Sequence, residues 1–205
     1  IYQMIRMLRS HGMVREASLA SFRRKFEEKS SDCNPDFIFA YPSYNVRSTE
    51  LNAVLGLNQL KRLDSNNEKR RKNLEIFLSH LDPEKYQTDF AVTGSVNYAF
   101  TLVIKKPDLK FREAVMKALR GANVEFRRGL SGGGNQLRQP YLKPYIARHE
   151  HKKYPNIEHV HFHGFYIGNY PGLEKEKILG LCQLLNRVAV SSKPKSQSTK
   201  AAPRP

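Results

Sequence analysis

The sequence predicts an α+β protein in two parts, a helical segment over residues 1–82 and a small domain of helices and strands over residues 83–190. Two observations support this division. In the first part, apolar residues recur mainly at helical spacing. After about residue 90 they alternate in short runs that are typical of strands, with helical stretches between them. Apolar residues make up 40% of the chain, which is enough to build a core.

The first forty residues predict helices joined by irregular stretches. Ile1 opens an amphipathic helix with apolar residues at i, i+3, i+4 and i+7, and Gly12 is placed to cap its end. Because the chain begins inside this helix, we expect it to be a fragment of a longer protein. A short charged helix is predicted over residues 22–29. Residues 37–42 predict a strand or an extended loop.

Two longer helices are predicted next. The first begins at Ser48 or Thr49, either of which can act as its N-cap, and it carries a broad stripe of leucine and valine side chains. The second is predicted over about residues 65–81, where Pro83 ends it. These helices complete the first part of the chain.

Strands and helices alternate in the second part. Strict alternation of apolar residues over 96–104 predicts a half-buried strand, and residues 123–128 and 164–168 predict two more. Helices are predicted over residues 108–120 and from Leu173 onward. This order predicts helices on one face of a small sheet.

The net charge of +16 raises nucleic acid as a partner. Residues 191–205 are rich in Ser, Pro and Lys and predict a disordered basic tail. The other basic residues are scattered along amphipathic helices, without zinc-finger, helix-turn-helix or aromatic–basic patterns. Nucleic acid is therefore not the expected partner, and a site for an anionic small molecule explains the local arginine clusters equally well.

Cysteine usage and hydropathy predict a cytoplasmic protein that does not bind membranes. Cys33 and Cys182 lie far apart without CxxC spacing, which is typical of a reduced compartment. No stretch is apolar over the length needed to cross a bilayer.

Three histidines occur at alternate positions, His159, His161 and His163. On a strand their side chains would share one face, as strand-borne metal ligands do. They would equally suit a partly exposed strand edge. Because no acidic fourth ligand follows at close spacing, we expect no metal site, and a metal-dependent enzyme stays the third hypothesis.

The glycine run in SGGGNQLRQP (131–140) follows the basic pair Arg127 and Arg128. Consecutive glycines allow backbone N–H groups to approach an anion closely. The stretch matches neither a P-loop nor a GxGxxG motif. On composition alone it is more typical of an ordinary long turn.

The most specific stretch is YNVRSTELNAVLGLNQLKRLD (44–64). Tyr44, Asn45 and Arg47 lie just ahead of a predicted helix N-terminus, where backbone N–H groups favour a phosphate. A turn role for Asn45 and a surface charge for Arg47 explain the same residues equally well.

This stretch resembles the segment of the DegT/StrS-type sugar aminotransferases that reads G-Y-N-x-R-x-(T/S/D)-E-L-x-A-A-x-G-L-x-Q-L-x-x-L-D. IRMLRSHG (5–12) resembles the (R)-x-L-R-x-H-G of that family. FYIGNYPGLEKEKI (165–178) resembles its C-terminal signature, with Gly168 where many members carry proline. The three matches follow the family's order and cover most of residues 1–190.

The resemblance implies a fragment of an α/β PLP-transferase of fold-type I. Residues 1–82 would be the C-terminal helical part of the large cofactor-binding domain with the inter-domain helices, and residues 83–190 the small C-terminal α+β domain. The cofactor would be pyridoxal 5'-phosphate or pyridoxamine 5'-phosphate. The catalytic lysine or histidine beneath it is expected upstream of Ile1, so the resemblance assigns no catalytic residue to this chain.

The resemblance also implies a cytoplasmic homodimer with shared active sites. The substrate would be a nucleotide-linked 4-keto-6-deoxyhexose, with an amino donor such as glutamate. Asn45 matches the residue that reaches the phosphate of the neighbouring subunit's cofactor. Tyr44 and Arg47 match its flanks, so all three are candidate cofactor-binding residues.

Within the family, RRGLSGGGNQLRQPYL (127–142) resembles the 3-dehydratases, which carry G-G-N-x-x-(R/K)-Q-P. In that branch a histidine replaces the cofactor lysine, and the C3 hydroxyl of the sugar is eliminated. No cysteine cluster follows RSHG, so the iron–sulfur type is not expected, and a cluster-free dehydratase or an aminotransferase is left. The alternative is a non-catalytic basic module that binds nucleotides or nucleic acid. The candidate substrate-binding residues are Arg127, Arg128, Asn135, Gln136, Arg138 and His163.

Overall fold

A computed structural model describes residues 1–129 and 131–190, so the predicted tail at 191–205 lies outside the described residues. The helices and strands, in chain order, are α1 (Tyr2–Leu8), α2 (Ala20–Lys29), α3 (Glu50–Leu60), α4 (Leu63–His80), β1 (Ala99–Val103), α5 (Leu109–Gly121), β2 (Phe126–Arg128), α6 (Pro155–His163), β3 (Gly164–Gly168) and α7 (Lys175–Arg187). Within the described ranges, no helix is both long and apolar enough to cross a membrane.

The sheet has the strand order β1-β3-β2, and both outer strands pair antiparallel with β3. In the register, Phe100 and Phe126 both lie opposite Ile167, and Arg128 lies opposite Phe165. Helix α5 therefore connects two parallel strands, and β3 is inserted between them, which is a split βαβ arrangement.

One face of the sheet packs against α4, α5 and α7 to form the main core. Phe77 of α4 and Phe100 of β1 stack with ring centroids 4.4 Å apart. Leu74 of α4 and Leu81 directly after that helix thus belong to the core of the strand-containing part of the chain. Burial of each such side chain stabilises the fold by about 1.5–3 kcal/mol relative to its exposure.

A second, smaller core lies under α1 and α2. Its fully buried members are Met7, Val14, Ala17, Cys33 and Ile38. Helix α1 ends at Leu8 with Arg9 as its C-cap, so the prediction of Gly12 as the cap is wrong. Gly12 instead has φ 72°, and a Cβ there would lie 2.0 Å from the carbonyl oxygen of Tyr41, so only glycine fits the crossing of these two segments.

Helix α3 begins after Thr49, which confirms one of the two predicted N-caps. The side-chain oxygen of Asn52 accepts a hydrogen bond from the Thr49 N–H at 2.8 Å. The apolar stripe of this helix is left uncovered by the described chain, and its leucine and valine side chains are 61–77% exposed. These residues are Leu51, Val54, Leu55, Leu57 and Leu60.

The predicted helices agree closely with the structure, and the strand predicted over 164–168 is confirmed at both ends, whereas the strands predicted over 96–104 and 123–128 are too long. Val96 and Tyr98 are exposed and lie ahead of β1, so their placement on the buried face of a strand is wrong. The histidine run is helical, not extended, because Pro155 starts a helix that continues to His163. Within residues 37–42, Phe37 ends a short 3-10 turn (Pro35–Phe37), Phe39 forms a β-bridge with Met13, and the rest runs as a loop.

Candidate functional site

Two of the stretches that carry the family resemblance, 5–12 and 44–64, meet the glycine-run segment 127–142 at a pocket of about 580 Å³, which we call the aromatic pocket, whereas residues 165–178 lie elsewhere. Four aromatic rings, an imidazole, a proline, a hydroxyl and an amide line it. These residues are His11, Phe39, Tyr41, Pro42, Ser43, Tyr44, Gln136 and Tyr141. The pocket combines apolar ring faces with a few polar groups, which is the usual composition of a small-molecule site.

Backbone pairing holds His11 beside Tyr44. The His11 N–H donates to the Tyr44 carbonyl at 3.0 Å, and Ser10 forms a β-bridge with Asn45. The Val46 N–H donates to the Arg9 carbonyl at 3.1 Å, which closes the pairing. The left-handed conformation of His11, with φ 57°, makes the turn that directs the chain back into this pairing.

The other wall of the pocket comes from the residues after the glycine run. The Tyr141 N–H donates to the Phe39 carbonyl at 3.2 Å, and the two rings meet edge to face at 6.4 Å. The Tyr141 hydroxyl donates to Oε1 of Gln136, whose Nε2 donates to the Gly132 carbonyl at 2.6 Å. Both polar ends of the Gln136 amide are therefore fixed in direction.

The candidate cofactor-binding residues lie beside this pocket and are exposed. Tyr44 is 85% exposed, and the Asn45 side-chain oxygen accepts a hydrogen bond from the Arg47 N–H at 3.2 Å. The Asn45 amide nitrogen makes no hydrogen bond within the described residues. Arg47 pairs with Glu16 at 3.3 Å. An exposed amide donor next to a guanidinium fits a phosphate group, so these residues suit the implied cofactor.

The glycine run is a tightly packed loop, not a loose turn. The Asn135 N–H donates to Nδ1 of His161 at 3.1 Å. Gly134 has φ 87°, and a Cβ there would lie only 2.6 Å from the same ring nitrogen. The loop backbone thus approaches the imidazole more closely than any side chain would permit.

Asn135 and Arg138 are bound inside the protein. Asn135 is buried, and its amide donates to Glu158 at 2.6 Å. Arg138 pairs with Asp32 at 2.7 Å, donates from Nε to Glu158 at 2.9 Å, and lies over the Phe162 ring. Burial raises the pKa of Glu158, but the hydrogen bonds from Arg138 and Asn135 outweigh burial and leave that pKa lowered. Their structural role is therefore to fasten the loop to α6.

Gln139 extends the same fastening to the N-terminal part of the chain. Its side chain is fully buried, its Nε2 donates to the Phe37 carbonyl at 2.8 Å, and its Oε1 accepts from the Phe39 N–H at 3.0 Å. The Gln139 amide thereby satisfies the backbone groups of residues 37–39 that a neighbouring strand would otherwise bond.

The histidines have their ring nitrogens engaged with protein groups. Nε2 of His161 donates to the Asp32 carbonyl at 2.7 Å, and Nε2 of His163 accepts from the Asp108 N–H at 3.1 Å. His159 lies over His163 with ring centroids 4.8 Å apart and contacts the Ile104 carbonyl through Nε2 at 2.6 Å. Among the described residues, no group of three or more His, Cys, Asp or Glu side chains is placed to hold a metal ion.

The remaining candidate substrate residues lie elsewhere. Arg127 lines a larger groove beside α7 and pairs there with Glu125 at 3.6 Å, and its guanidinium also lies over the Phe37 ring. Arg128 lines a small pocket behind the glycine run. Of the six candidate substrate residues, the structure brings Gln136 to the aromatic pocket, and the substrate-binding role of all six stays a prediction.

Sequence reasoning did not single out His11, Phe39, Tyr41 or Tyr141 as site residues. His11 belongs to the RSHG motif and Tyr141 follows the QP of the glycine-run segment, so the resemblance contained a signal for both. Phe39 and Tyr41 gave no such signal, because their place in the pocket depends on backbone contacts with distant residues.

Comparison with known proteins agrees with this assembly of motifs. GDP-4-keto-6-deoxy-D-mannose 3-dehydratase from Escherichia coli O55:H7 is 30% identical over 172 residues, which are 83% of this chain and 43% of the relative. A crystal structure of GDP-4-keto-6-deoxymannose-3-dehydratase with a trapped PLP–glutamate geminal diamine is 26% identical, with a TM-score of 0.52, over 90% of this chain and 47% of that one.

A protein from Streptococcus pneumoniae described as a sugar aminotransferase, solved in its PMP form, has a TM-score of 0.55 at 16% identity, over 73% of this chain and 37% of that one. The chain thus spans less than half the length of these relatives. These likenesses confirm the predicted fold class, part of a fold-type I PLP transferase. The family model for DegT/DnrJ/EryC1/StrS aminotransferases matches residues 1–186, and the chain belongs to that family.

Proposed function

We propose that the protein is a PLP- or PMP-dependent enzyme that acts on a nucleotide-linked 4-keto-6-deoxyhexose in deoxysugar or polysaccharide biosynthesis. The reaction is C3 dehydration or transamination. The observation that carries the proposal is the convergence of His11, Tyr44, Gln136 and Tyr141 on one pocket. These residues come from three separate stretches with family resemblance, and the fold brings them together.

The aromatic pocket suits a nucleotide sugar on chemical grounds. Ring faces of Phe39, Tyr41 and Tyr141 offer stacking surfaces for a base or for the apolar face of a sugar. The Ser43 hydroxyl, which donates to the Leu8 carbonyl, can still accept a hydrogen bond, and the Gln136 amide keeps a second N–H and a second oxygen lone pair for hydroxyl groups. The bound cofactor would supply the electron sink for the chemistry at the sugar.

Cofactor binding is the second element of the proposal. The free amide nitrogen of Asn45 would donate to the cofactor phosphate, and Arg47 and Tyr44 would flank it. Since the resemblance places the lysine or histidine that holds the cofactor ring ahead of Ile1, the residues in this chain would contribute to the phosphate end of the site.

The exposed apolar face of α3 supports a homodimer. Five leucine and valine side chains on this helix are more than 60% exposed, and the helix starts directly after the Asn45–Arg47 stretch. We propose that a second copy covers this face and thereby brings Asn45 to the partner's cofactor. Burying these side chains would contribute about 1.5–3 kcal/mol each. The two buried free thiols, Cys33 and Cys182, support a cytoplasmic location.

Dehydration is favoured over transamination by the glycine run. Its resemblance to the 3-dehydratase branch agrees with the relatives that carry that name. Transamination is the second candidate, because a structurally similar protein is described as a sugar aminotransferase. The family match gives no support to a non-catalytic basic module.

The test is product analysis with the full-length protein, pyridoxal phosphate, glutamate and GDP-4-keto-6-deoxymannose. Mass spectrometry distinguishes a product that has lost the C3 oxygen from one in which an amino group replaces the keto oxygen. We expect the deoxygenated product. Neither product, with this or a thymidine-linked 4-keto-6-deoxysugar, would overturn the proposal.

Variants test the assigned residues separately. Gln136→Ala and Tyr141→Ala should raise KM for the sugar, whereas Asn45→Ala should weaken retention of the cofactor. Lys117→Ala, on the exposed face of α5, is the control. Leu55→Lys should shift the protein from dimer to monomer in sedimentation. A dimer of unchanged stability would contradict the role of α3.

A further inference from the structure

A separate small pocket lies behind the glycine run, with a volume of about 200 Å³. We call it the arginine pocket, because Arg112 of α5 and Arg128 of β2 both line it. Asn34, Gly133 and His161 complete its wall on the loop side. The aromatic pocket contains none of these residues.

Arg128 occupies an unusual position for a cation. It lies opposite Phe165 in the sheet register, so its side chain emerges on the face that packs against the helices. The backbone there is fixed, because Nδ2 of Asn34 donates to the Arg128 carbonyl at 3.3 Å. Arg128 thus places a guanidinium on the sheet face where its neighbour Phe165 belongs to the hydrophobic core.

The Arg128 guanidinium is partly buried and makes no hydrogen bond or ion pair with the described residues. Burial and the nearby Arg112 lower its pKa. Arg112 itself is occupied, since it donates to Glu113 at 2.6 Å and to the Phe162 carbonyl at 3.4 Å. A half-buried cation without an ion-pair partner carries a desolvation cost, and proteins normally supply an opposite charge.

The acidic groups nearby do not supply that charge. Asp32 lines the pocket, but its carboxylate pairs with Arg138 at 2.7 Å. Glu113 pairs with Arg112, and Asp36 lies outside ion-pair distance of Arg128. The described carboxylates therefore form no ion pair with Arg128, and Glu113 and Asp36 attract its guanidinium only from a longer distance.

We propose that the arginine pocket binds a phosphoryl group, with Arg128 as the principal ligand and Arg112 as the second cation. A guanidinium presents paired N–H donors that match the oxygens of a phosphate. The volume admits one such group and excludes a whole nucleotide. The inference does not rest on the proposed enzymatic function, because it needs only the charge and enclosure of Arg128.

The experiment is calorimetric titration of the 205-residue protein with sodium phosphate at constant ionic strength, with chloride as the reference anion. We expect phosphate to bind, and Arg128→Met to weaken binding by at least about tenfold, since a charge-assisted hydrogen bond is lost. Arg24→Met, on the exposed face of α2, removes the same charge elsewhere and should bind as the unchanged protein does. No phosphate binding above chloride, or equal binding by Arg128→Met, would overturn the proposal.

Thermal unfolding gives an independent readout. Without phosphate, Arg128→Met should melt at a higher temperature, because the uncompensated cation is gone. Phosphate should raise the melting temperature of the unchanged protein and leave that of the variant unchanged. Arg128→Lys keeps the charge and should retain part of the shift. An equal phosphate-induced shift in all three proteins would contradict the assignment.

Guanosine diphosphate distinguishes the two sources of the phosphoryl group. If its affinity also falls about tenfold in Arg128→Met, the pocket receives a nucleotide phosphate. If only inorganic phosphate loses affinity, the pocket holds free phosphate and nucleotide binds elsewhere. Both results support the site.

Discussion

The imidazole of His161 accepts a hydrogen bond from the backbone N–H of Asn135, with 3.1 Å between Nδ1 and the amide nitrogen. On the opposite side of the ring, Nε2 donates to the Asp32 carbonyl at 2.7 Å. The two bonds together require a neutral ring that carries its proton on Nε2. Protonation of Nδ1 would place two donors against each other, so the glycine run is held by an uncharged His161.

The first prediction is a loss of stability in mild acid. Burial lowers the pKa of His161, and burial with the neighbouring His159 lowers that of His163. In the unfolded chain both histidines take up a proton near pH 6.5, whereas the folded protein resists protonation to lower pH. The contribution of these histidines to the free energy of unfolding should therefore be fully present above about pH 6.5. It should be lost progressively as the pH drops toward 5. Urea unfolding at a series of pH values measures this.

A variant tests the origin of that pH dependence. His161→Gln should be less stable at pH 7.5, because the Asn135 N–H loses its acceptor, and its stability should change less between pH 7 and about 5. His80→Gln, at the exposed end of α4, should keep the full pH dependence. If His161→Gln shows the same slope as the unchanged protein, the linkage to His161 is wrong.

Local sequence patterns predicted the helices well because each helix carries its own apolar spacing. In α5, Phe111, Val115 and Leu119 recur at helical spacing in the sequence and are buried in the structure. The histidine run was placed on a strand because its histidines alternate. In the structure it is helical, since a helix starts at Pro155 and His161, within that helix, makes long-range contacts. Pairing across the sequence, as between Asn135 and His161, leaves no periodic signal.

The candidate site was predictable to a similar extent. Resemblance identified the stretches containing His11, Tyr44 and Gln136, but not their meeting in one pocket. That meeting depends on the pairing of residues 9–12 with 44–46 and of Tyr141 with Phe39. The internal bonds of Asn135 and Arg138 were also unpredictable, because Glu158 and Asp32 are distant in sequence.

The second prediction compares two glycines. Gly134→Ala places a Cβ against His161 and imposes φ 87° on alanine, so it should destabilise the protein by about 2 kcal/mol or more. Gly180 lies within α7, where an added methyl group would meet only open space, so Gly180→Ala should stabilise by about 0.5–1 kcal/mol. Opposite signs in urea unfolding are expected. A neutral Gly134→Ala would show that the loop packs more loosely than the structure has it.

The third prediction concerns the buried amide of Gln139. Gln139→Met keeps the volume but leaves the Phe39 N–H and the Phe37 carbonyl without partners. We expect a loss of about 2–4 kcal/mol in the free energy of unfolding, from two unsatisfied buried groups. Gln183→Met, on the exposed face of α7, is the matched control and should stay within about 0.5 kcal/mol. Equal effects of the two substitutions would contradict the bridging role of Gln139.

The fourth prediction is energetic coupling between Arg138 and Glu158. The guanidinium contacts both carboxylate oxygens of Glu158, and each side chain is less than one-fifth exposed. Arg138→Met strands the Glu158 carboxylate and should cost more than a surface pair does, by about 2–3 kcal/mol. Glu158→Gln keeps hydrogen bonding to Asn135 and should cost less. Because the double variant removes both charges, it should be more stable than the sum of the single effects predicts, by about 1–2 kcal/mol.

The pair Arg71 and Glu75 on the exposed face of α4 is the control, with an expected coupling of about 0.3–0.5 kcal/mol. Strict additivity at Arg138 and Glu158 would mean that the glycine run is held without this ion pair.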